Sequence, residues 1–470
     1  MSDHKHLIRL QAAKQEYEWG RQGSSSLAAR LGPNAIGHGF QQDEGKCYAE
    51  IWMGTHQNGA AHLFDSPSRS LLDLIRTDPK FYLGEKLLTT SPSTIHIPYL
   101  FKVLSIRKAL PLQAHPDKGL QAEQLHQSDP DNFVDANHKP EIAIAIGEPL
   151  HITRSKYGGG GEGRTTVGHA EVDDPDTAFM GFVGFRPLGE IKAFLEKIPE
   201  LVAAVEDPEL VIEFTRSPSK ELLKQVYAKL LKRGVEAREQ VAAAVSKLQA
   251  RMMQNGAYVL GSRESEFLFR LFVKVNAQYP GEAGVLATTF FMNFVKLRKG
   301  EALYIGADEV HAYMEGDIIE CMAVSDNVVN AAFDSPPSLA PQVDTFTNML
   351  TCTSRPASHW ALPAQRYQKG RDHRTVKYEP PLEEFIVIGT FLSALKAKEE
   401  VLDPVEGPTI GIVTRGMVKV SVSSSKGRDC LELDEGGVVF VPPGNEIRVE
   451  VTEGKGPEGA GEVWWALWGA

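Results

Sequence analysis

GEALYIGADEVHAYMEGDIIECMAVSDN, residues 300–327, is the stretch on which the fold turns. Gly300 opens a short apolar run that reads as a strand. Gly306 to Glu309 read as a turn. His311 heads the next strand, and Glu320, nine residues on, opens a further one with Cys321 and Met322. Short apolar runs bounded by turn residues are the mark of strands. A single histidine at a strand end has a plain reading as a surface residue until other pieces join it.

The same texture extends in both directions. TFFMNFVKL (289–297) lies just upstream, and GPTIGIVTRGMVKVSV (407–422) and GGVVFVPPGNEIRVEV (436–451) lie downstream. Cys47 to Met53, Tyr99 to Ile106 and Glu141 to Ile146 are strand-like as well. Ser70 to Ile75 reads as a short helix stopped by Asp78-Pro79. Residues 188–255 change character. Leu222, Val226 and Leu230 recur at helical spacing, as do Val241, Val245 and Leu248, and a further helix runs from Glu264 to Gln278 before Pro280-Gly281. Residues 154–175 are rich in Gly and charge, with four glycines at 158–161. No GK[ST] follows them, so a surface insertion is the better reading than a phosphate loop. The order β-rich, helical, β-rich, β-rich predicts a mainly β fold. It consists of two jelly-roll barrels with an inserted α-helical domain. The expected division is 1–187 with 281–335, then 188–280, then 336–470.

Composition narrows the function. The 470 residues are 42% apolar and 24% charged, with a net charge of −11. No Lys/Arg block stands out, which argues against nucleic acid as a partner. Cys47, Cys321, Cys352 and Cys430 form no CxxC pair, so neither a disulfide framework nor a thiolate zinc site is expected. The N-terminus lacks a signal-peptide core and no apolar run is long enough to span a membrane. A cytoplasmic monomer acting on a small molecule is the expectation.

Three pieces carry chemistry. Gln113 and His115 lie two apart on a strand and so share a face. Asn137-His138-Lys139-Pro140-Glu141 puts charge at the head of an apolar strand, where a buried carboxylate needs a cation or a metal. Pairing of Lys139 with Glu141 would satisfy it too. His311 is the third piece. Together they offer an amide oxygen, two imidazoles and a carboxylate. That set suits Zn²⁺ with one open position.

The Gly300-to-His311 spacing resembles the second cupin motif. YEWGRQGSSSLAARL, YAEIWMGTHQNG, LFKVLSIRKALPLQAHPDK, NHKPEIAIAI, GFVGFRPL, QYPGEAGVLATTFFMNFVKL and EVHAYMEGDIIECMAVSDNVV resemble, in order, blocks of type I mannose-6-phosphate isomerases. The resemblance implies one Zn²⁺ per chain on Gln113, His115, Glu141 and His311. It implies an active-site wall of Trp19, Glu50, Lys102, Lys139, Tyr313, Glu320 and Asp326. It also implies aldose–ketose interconversion of a sugar phosphate, feeding GDP-mannose synthesis, with Glu320 and Lys139 as candidates to move the proton. In the second barrel, Ile447 stands where a ligand histidine would be, so no metal is expected there.

The chain departs from the family's pattern at three places. Asn330 stands where the family has arginine, Asp334-Ser335-Pro336-Pro337 replaces a Thr-Pro-Lys stretch, and Pro111 replaces a serine before the Q-x-H pair. Arginine is a fixed cationic fork and asparagine is neutral and shorter. Lys102, Arg107 and Lys108 are candidates to compensate. The alternatives are a diverged paralogue with an intact zinc site acting on another sugar-like compound, or a non-catalytic sugar-binding cupin. Trp464, Trp465 and Trp468 read as core, His138 as a residue behind the ligands, and Arg186 as ordering a turn.

Overall fold

A computed structural model describes residues 4–469 apart from 38, 91–94, 118–119, 131–132, 134, 151–173, 263, 335–341, 425–426 and 456–458. The Gly-rich stretch, up to residue 173, and Ser335 to Pro337 lie outside the described residues.

Ten strands make the sheet that carries the site: β1 (Ala13–Gln15), β2 (Glu50–Met53), β3 (Tyr99–Ile106), β4 (Leu112–Ala114), β5 (Glu141–Ala145), β6 (Thr177–Phe185), β7 (Met292–Arg298), β8 (Ala302–Ile305), β9 (His311–Ala323) and β10 (Val329–Ala332). The main path runs β7-β6-β9-β3-β2-β1, while β5 joins β8 to β9 and β4 joins β9 to β10. Strand β9 is the hub. Its first half pairs with β6 and, through His311, with β4; its second half pairs with β3 and β5. Gly316 sits where the halves meet, at φ +132°. A Cβ there would lie 2.5 Å from the Ala178 carbonyl oxygen, so only glycine lets the strand pass. The sequence reading made two strands of this segment, with Glu320 on the second. The chain forms one, because the glycine bends it without ending its hydrogen bonds.

A nine-stranded sheet, which takes three of its strands from residues 8–70, and a four-stranded sheet are built chiefly from the C-terminal part. Trp464 and Trp465, on Ala460–Leu467, are fully buried and serve two different cores, as neighbours on a strand should. Trp468 is also buried. The N-terminal strand Ile8–Gln11 pairs with Val438–Val441. It therefore belongs to the sheet of the C-terminal part, although the expected division groups it with the first barrel.

Between β6 and β7 the chain is helical, as the spacing predicts: Leu188–Lys197, Pro199–Val205, Pro208–Arg216, Lys220–Glu236, Arg238–Asn255 and Ser265–Gln278. Val226, Leu230, Val241, Val245 and Leu248 are buried, and Leu222 sits at the stripe's edge. The helices share one apolar core with Leu112, Ala114, Phe182 and Phe185 of the sheet. The strand expected from Thr289 starts later, at Met292. Residues 287–291 finish the helical segment, whose Thr288 hydroxyl donates to the Gly284 carbonyl at 2.7 Å. A short buried apolar run does not declare its type by periodicity. The predicted helix near 70 runs Leu71–Thr77, capped by Ser70. All four cysteines are free thiols. No helix among the described residues is long and apolar enough to cross a membrane.

Candidate metal centre and active site

Three candidate ligands of two types converge at one end of the ten-stranded sheet. Glu141 opens β5, His311 opens β9 and His115 follows β4 directly. All three are buried, and their ligand atoms lie within 4.8 Å of one another. His311 Nε2 is 3.2 Å from Glu141 Oε1, and His115 Nε2 is 3.7 Å from Glu141 Oε2. Two ligands on one tetrahedral ion at zinc distances sit about 3.4 Å apart, which matches this spacing.

The imidazoles are oriented from behind. His115 Nδ1 is 2.8 Å from the Asn327 carbonyl, and His311 Nδ1 is 3.0 Å from the Glu309 carbonyl. Each Nδ1 faces a carbonyl and donates, so in the neutral ring each Nε2 carries the lone pair. Both Nε2 atoms are buried and have no hydrogen-bond partner. Buried polar atoms left without a partner are costly, and a cation between them removes the cost. Burial, with Lys139 next, pushes His115 well below its usual range, so it stays neutral. Burial works to raise the Glu141 carboxyl; His311 first, and Lys139 after it, outweigh burial and keep it ionised. A neutral imidazole at His115 beside an ionised Glu141 is a pairing that suits a divalent cation. Gln113 lies opposite His311 in the β4–β9 register, so its side chain is on the same face. The residues fit Zn²⁺.

Behind this cluster lies a buried charge network. Lys102 faces Glu320 across β3–β9 and Trp52 across β2–β3. Its Nζ is 2.7 Å from Glu320 and 3.6 Å from Glu50, and it lies 4.9 Å from the Trp52 ring centroid. The Trp52 indole N–H donates to Glu50. Burial opposes the Lys102 charge, but Glu320 and Glu50 hold it above the ordinary lysine value. Glu320 is pushed up to about 7, by burial first and then by Glu141 and Glu50 against the pull of Lys102. Lys139 is buried and shifted the other way, down, by burial and then by Lys102. Two lysines are thus driven apart in proton affinity, a mark of functional sites.

The remaining expected residues divide. The Tyr313 hydroxyl donates to Glu141 Oε1 at 2.6 Å, so it orients a candidate ligand rather than standing free toward a substrate. Asp326 accepts from Gln57 and Asn58 and lies 3.0 Å from His56 Nε2. Trp19 is half-buried against the apolar core that includes Leu104 and Ile106, stacked on Tyr17, and its carbonyl accepts the amides of Arg107 and Lys108. His138 turns to Glu384 at 2.7 Å. Both line a hollow of about 350 Å³ beside the cluster, together with His56, Asp135 and Asp326; the walls do not include the three ligands. Arg186 is buried, reaching Glu190 and lying over Phe194. Ile447 is core. Sequence reasoning missed Trp52, Tyr17, Asn327 and Glu384. Trp52 was within reach of it, since Glu50 and Trp52 are two apart on a strand.

Asn330 pairs with Gln113 on the strand next to it, and its Nδ2 donates to Asp334 at 3.0 Å. The three candidate compensating cations are all engaged. Lys102 is in the buried network, Arg107 donates to the Gly20 and Glu18 carbonyls, and Lys108 lies 4.0 Å from the Tyr279 ring centroid.

The chain has relatives of known name. Residues 7–154 match the phosphomannose isomerase type I catalytic domain. Mannose-6-phosphate isomerase of Candida albicans is 36% identical, covering 96% of this chain and 96% of that protein. The enzyme of the same name from Cryptococcus neoformans is 36% identical over 95% and 97% of the two chains, and that of Saccharomyces cerevisiae 33% over 95% and 96%. Phosphomannose isomerase from Salmonella typhimurium shares the fold, with a TM-score of 0.72 at 20% identity over 99% of this chain and all of that one. Ligand types meeting in a strand-rich fold, and kinship over nearly the full length, lead to one conclusion: the chain belongs to the type I mannose-6-phosphate isomerase family.

Proposed function

We propose that this protein is a zinc-dependent aldose–ketose isomerase that interconverts mannose 6-phosphate and fructose 6-phosphate, working as a cytoplasmic monomer that supplies GDP-mannose synthesis. The observation that carries the reading is the buried His115–Glu141–His311 cluster, with both Nε2 atoms unpartnered, next to two lysines and Glu320. Zn²⁺, held by Gln113, His115, Glu141 and His311, would polarise the sugar's oxygens as charge develops on them.

The chain's own groups do the rest. The reaction moves a proton between C1 and C2 of the open-chain sugar. Glu320, with proton affinity near neutrality, is suited to take and return that proton. Lys139, with its charge disfavoured by burial, is suited to exchange a proton with a sugar oxygen. Lys102 stays charged and holds Glu320 and Glu50 in place. Glu50, Trp19 and Asp326 form the wall that positions the sugar.

A coupled isomerase assay on the zinc-loaded protein tests this. Turnover of mannose 6-phosphate that is lost with chelator and in His311→Ala supports it, and no turnover by the fully loaded wild type ends it. One observation favours a second reading, a paralogue acting on another sugar-like compound: the amide of Asn330 is bound to a carboxylate.

A further inference from the structure

His311, Gln113 and Asn330 form one row. Gln113 on β4 is the direct partner of His311 on β9 and of Asn330 on β10. Directly opposed residues of antiparallel strands present their side chains on the same face. Asn330 therefore stands on the ligand-bearing face, two strands, or roughly 10 Å, from His311. That is the reach of a hexose whose reacting carbons sit at the cluster.

The chemistry at Asn330 is specific. A carboxylate only accepts, so the hydrogen bond to Asp334 fixes the amide with its nitrogen toward that side chain. The carbonyl Oδ1 is left buried and without a donor. The backbone N–H is also used, donating to Gln342 Oε1 at 2.8 Å. What is unmet here is an acceptor beside a carboxylate. A sugar hydroxyl, which can donate, satisfies it. A phosphate dianion, all acceptor, meets an unmatched oxygen and the Asp334 carboxylate. Of the cations on this side, Lys108 lies over Tyr279, and Arg238, which lines the same hollow as Asp334, reaches Glu282 at 3.9 Å. Pro111, next to β4, has neither an N–H nor a hydroxyl to offer a phosphate.

We propose that Asn330 and Asp334 form a subsite for a neutral sugar hydroxyl, so that the enzyme also isomerises unphosphorylated mannose to fructose and discriminates little in favour of the phosphate. The inference rests on the isomerase reading above. The step is internally balanced. The C2–H and O2–H bonds break, C1–H and O1–H bonds form, the carbonyl moves from C1 to C2, and no oxidant, reductant or co-reactant enters.

The experiment compares kcat/KM for mannose 6-phosphate and for free mannose on the zinc-loaded full-length protein, for wild type, Asn330→Arg and Asp334→Asn. One lost or gained charge-assisted contact in such a site is worth about 10²–10³ in rate. The expected wild-type preference for the phosphate is below about 10³, and Asn330→Arg should raise it by at least about tenfold. Asp334→Asn should raise it in the same direction by a smaller factor. The wild-type ratio needs no variant to fold. Turnover of mannose 6-phosphate with no measurable turnover of mannose, and a preference that Asn330→Arg leaves unmoved, overturns this inference and leaves the isomerase reading standing. No turnover of either sugar by loaded wild type overturns the isomerase reading, and this inference with it.

Discussion

Tyr313→Phe removes one oxygen atom and isolates the contribution of orientation at the metal centre. The lost contact is the 2.6 Å hydrogen bond to Glu141 Oε1, made by a fully buried phenol. Burial, and then the charge of Glu141, keeps that phenol protonated, so it is always a donor. A hydrogen bond to a charged acceptor contributes about 1.5–3 kcal/mol. Partners behind a metal ligand typically change metal affinity by about 10–100-fold. The metal-free variant should therefore lose roughly 1.5–3 kcal/mol of stability in denaturant titration, and Zn²⁺ affinity should fall about tenfold to hundredfold. A competition titration against a chromophoric chelator reads the second quantity directly. If Tyr313 served the substrate alone, affinity would hold and only KM would rise. Affinity within twofold of wild type would refute the argument.

Other expectations follow from the same geometry. Stripping the metal should lower the melting temperature, because an ion bound only by the folded state stabilises it by about 2.7 kcal/mol at a hundred times its dissociation constant; an unchanged melt on adding Zn²⁺ to stripped protein would count against the site. Glu320, held at about 7, accepts a proton only when ionised, so kcat should fall as pH drops below that value. A bound cation favours the carboxylate and moves the midpoint lower, and a profile flat between about pH 5 and 8 would remove Glu320 from the proton transfer. Gly316→Ala places a Cβ 2.5 Å from the Ala178 carbonyl oxygen at φ +132°. Its cost should exceed about 2 kcal/mol in denaturant unfolding, and a variant as stable as wild type would show that β9 bends without it.

Much of this was legible in the residues. Short apolar runs bounded by turn residues marked β3 and β5, and helical spacing marked 188–255 and 264–278, since both signals are local to the chain. Gln113, His115, Glu141 and His311 were readable as candidate ligands because i, i+2 spacing and strand-head positions are local too. Thr289 and Glu320 were misplaced where a short apolar run and a bent strand gave no periodic signal.

What the chain alone could not decide is pairing. Tyr313 and Glu141 are 172 positions apart, and their bond exists only because the strands that carry them meet at one end of the sheet. The same holds for Lys102 between Glu50 and Glu320, and for His138 against Glu384 from the C-terminal part. Burial and neighbours set by that registry, not residue type, drive Lys102 and Lys139 in opposite directions. Asn330 is a departure from a pattern when read in sequence. Its partner Asp334, and its row with Gln113 and His311, come from three strands aligning, which is a property of tertiary structure alone.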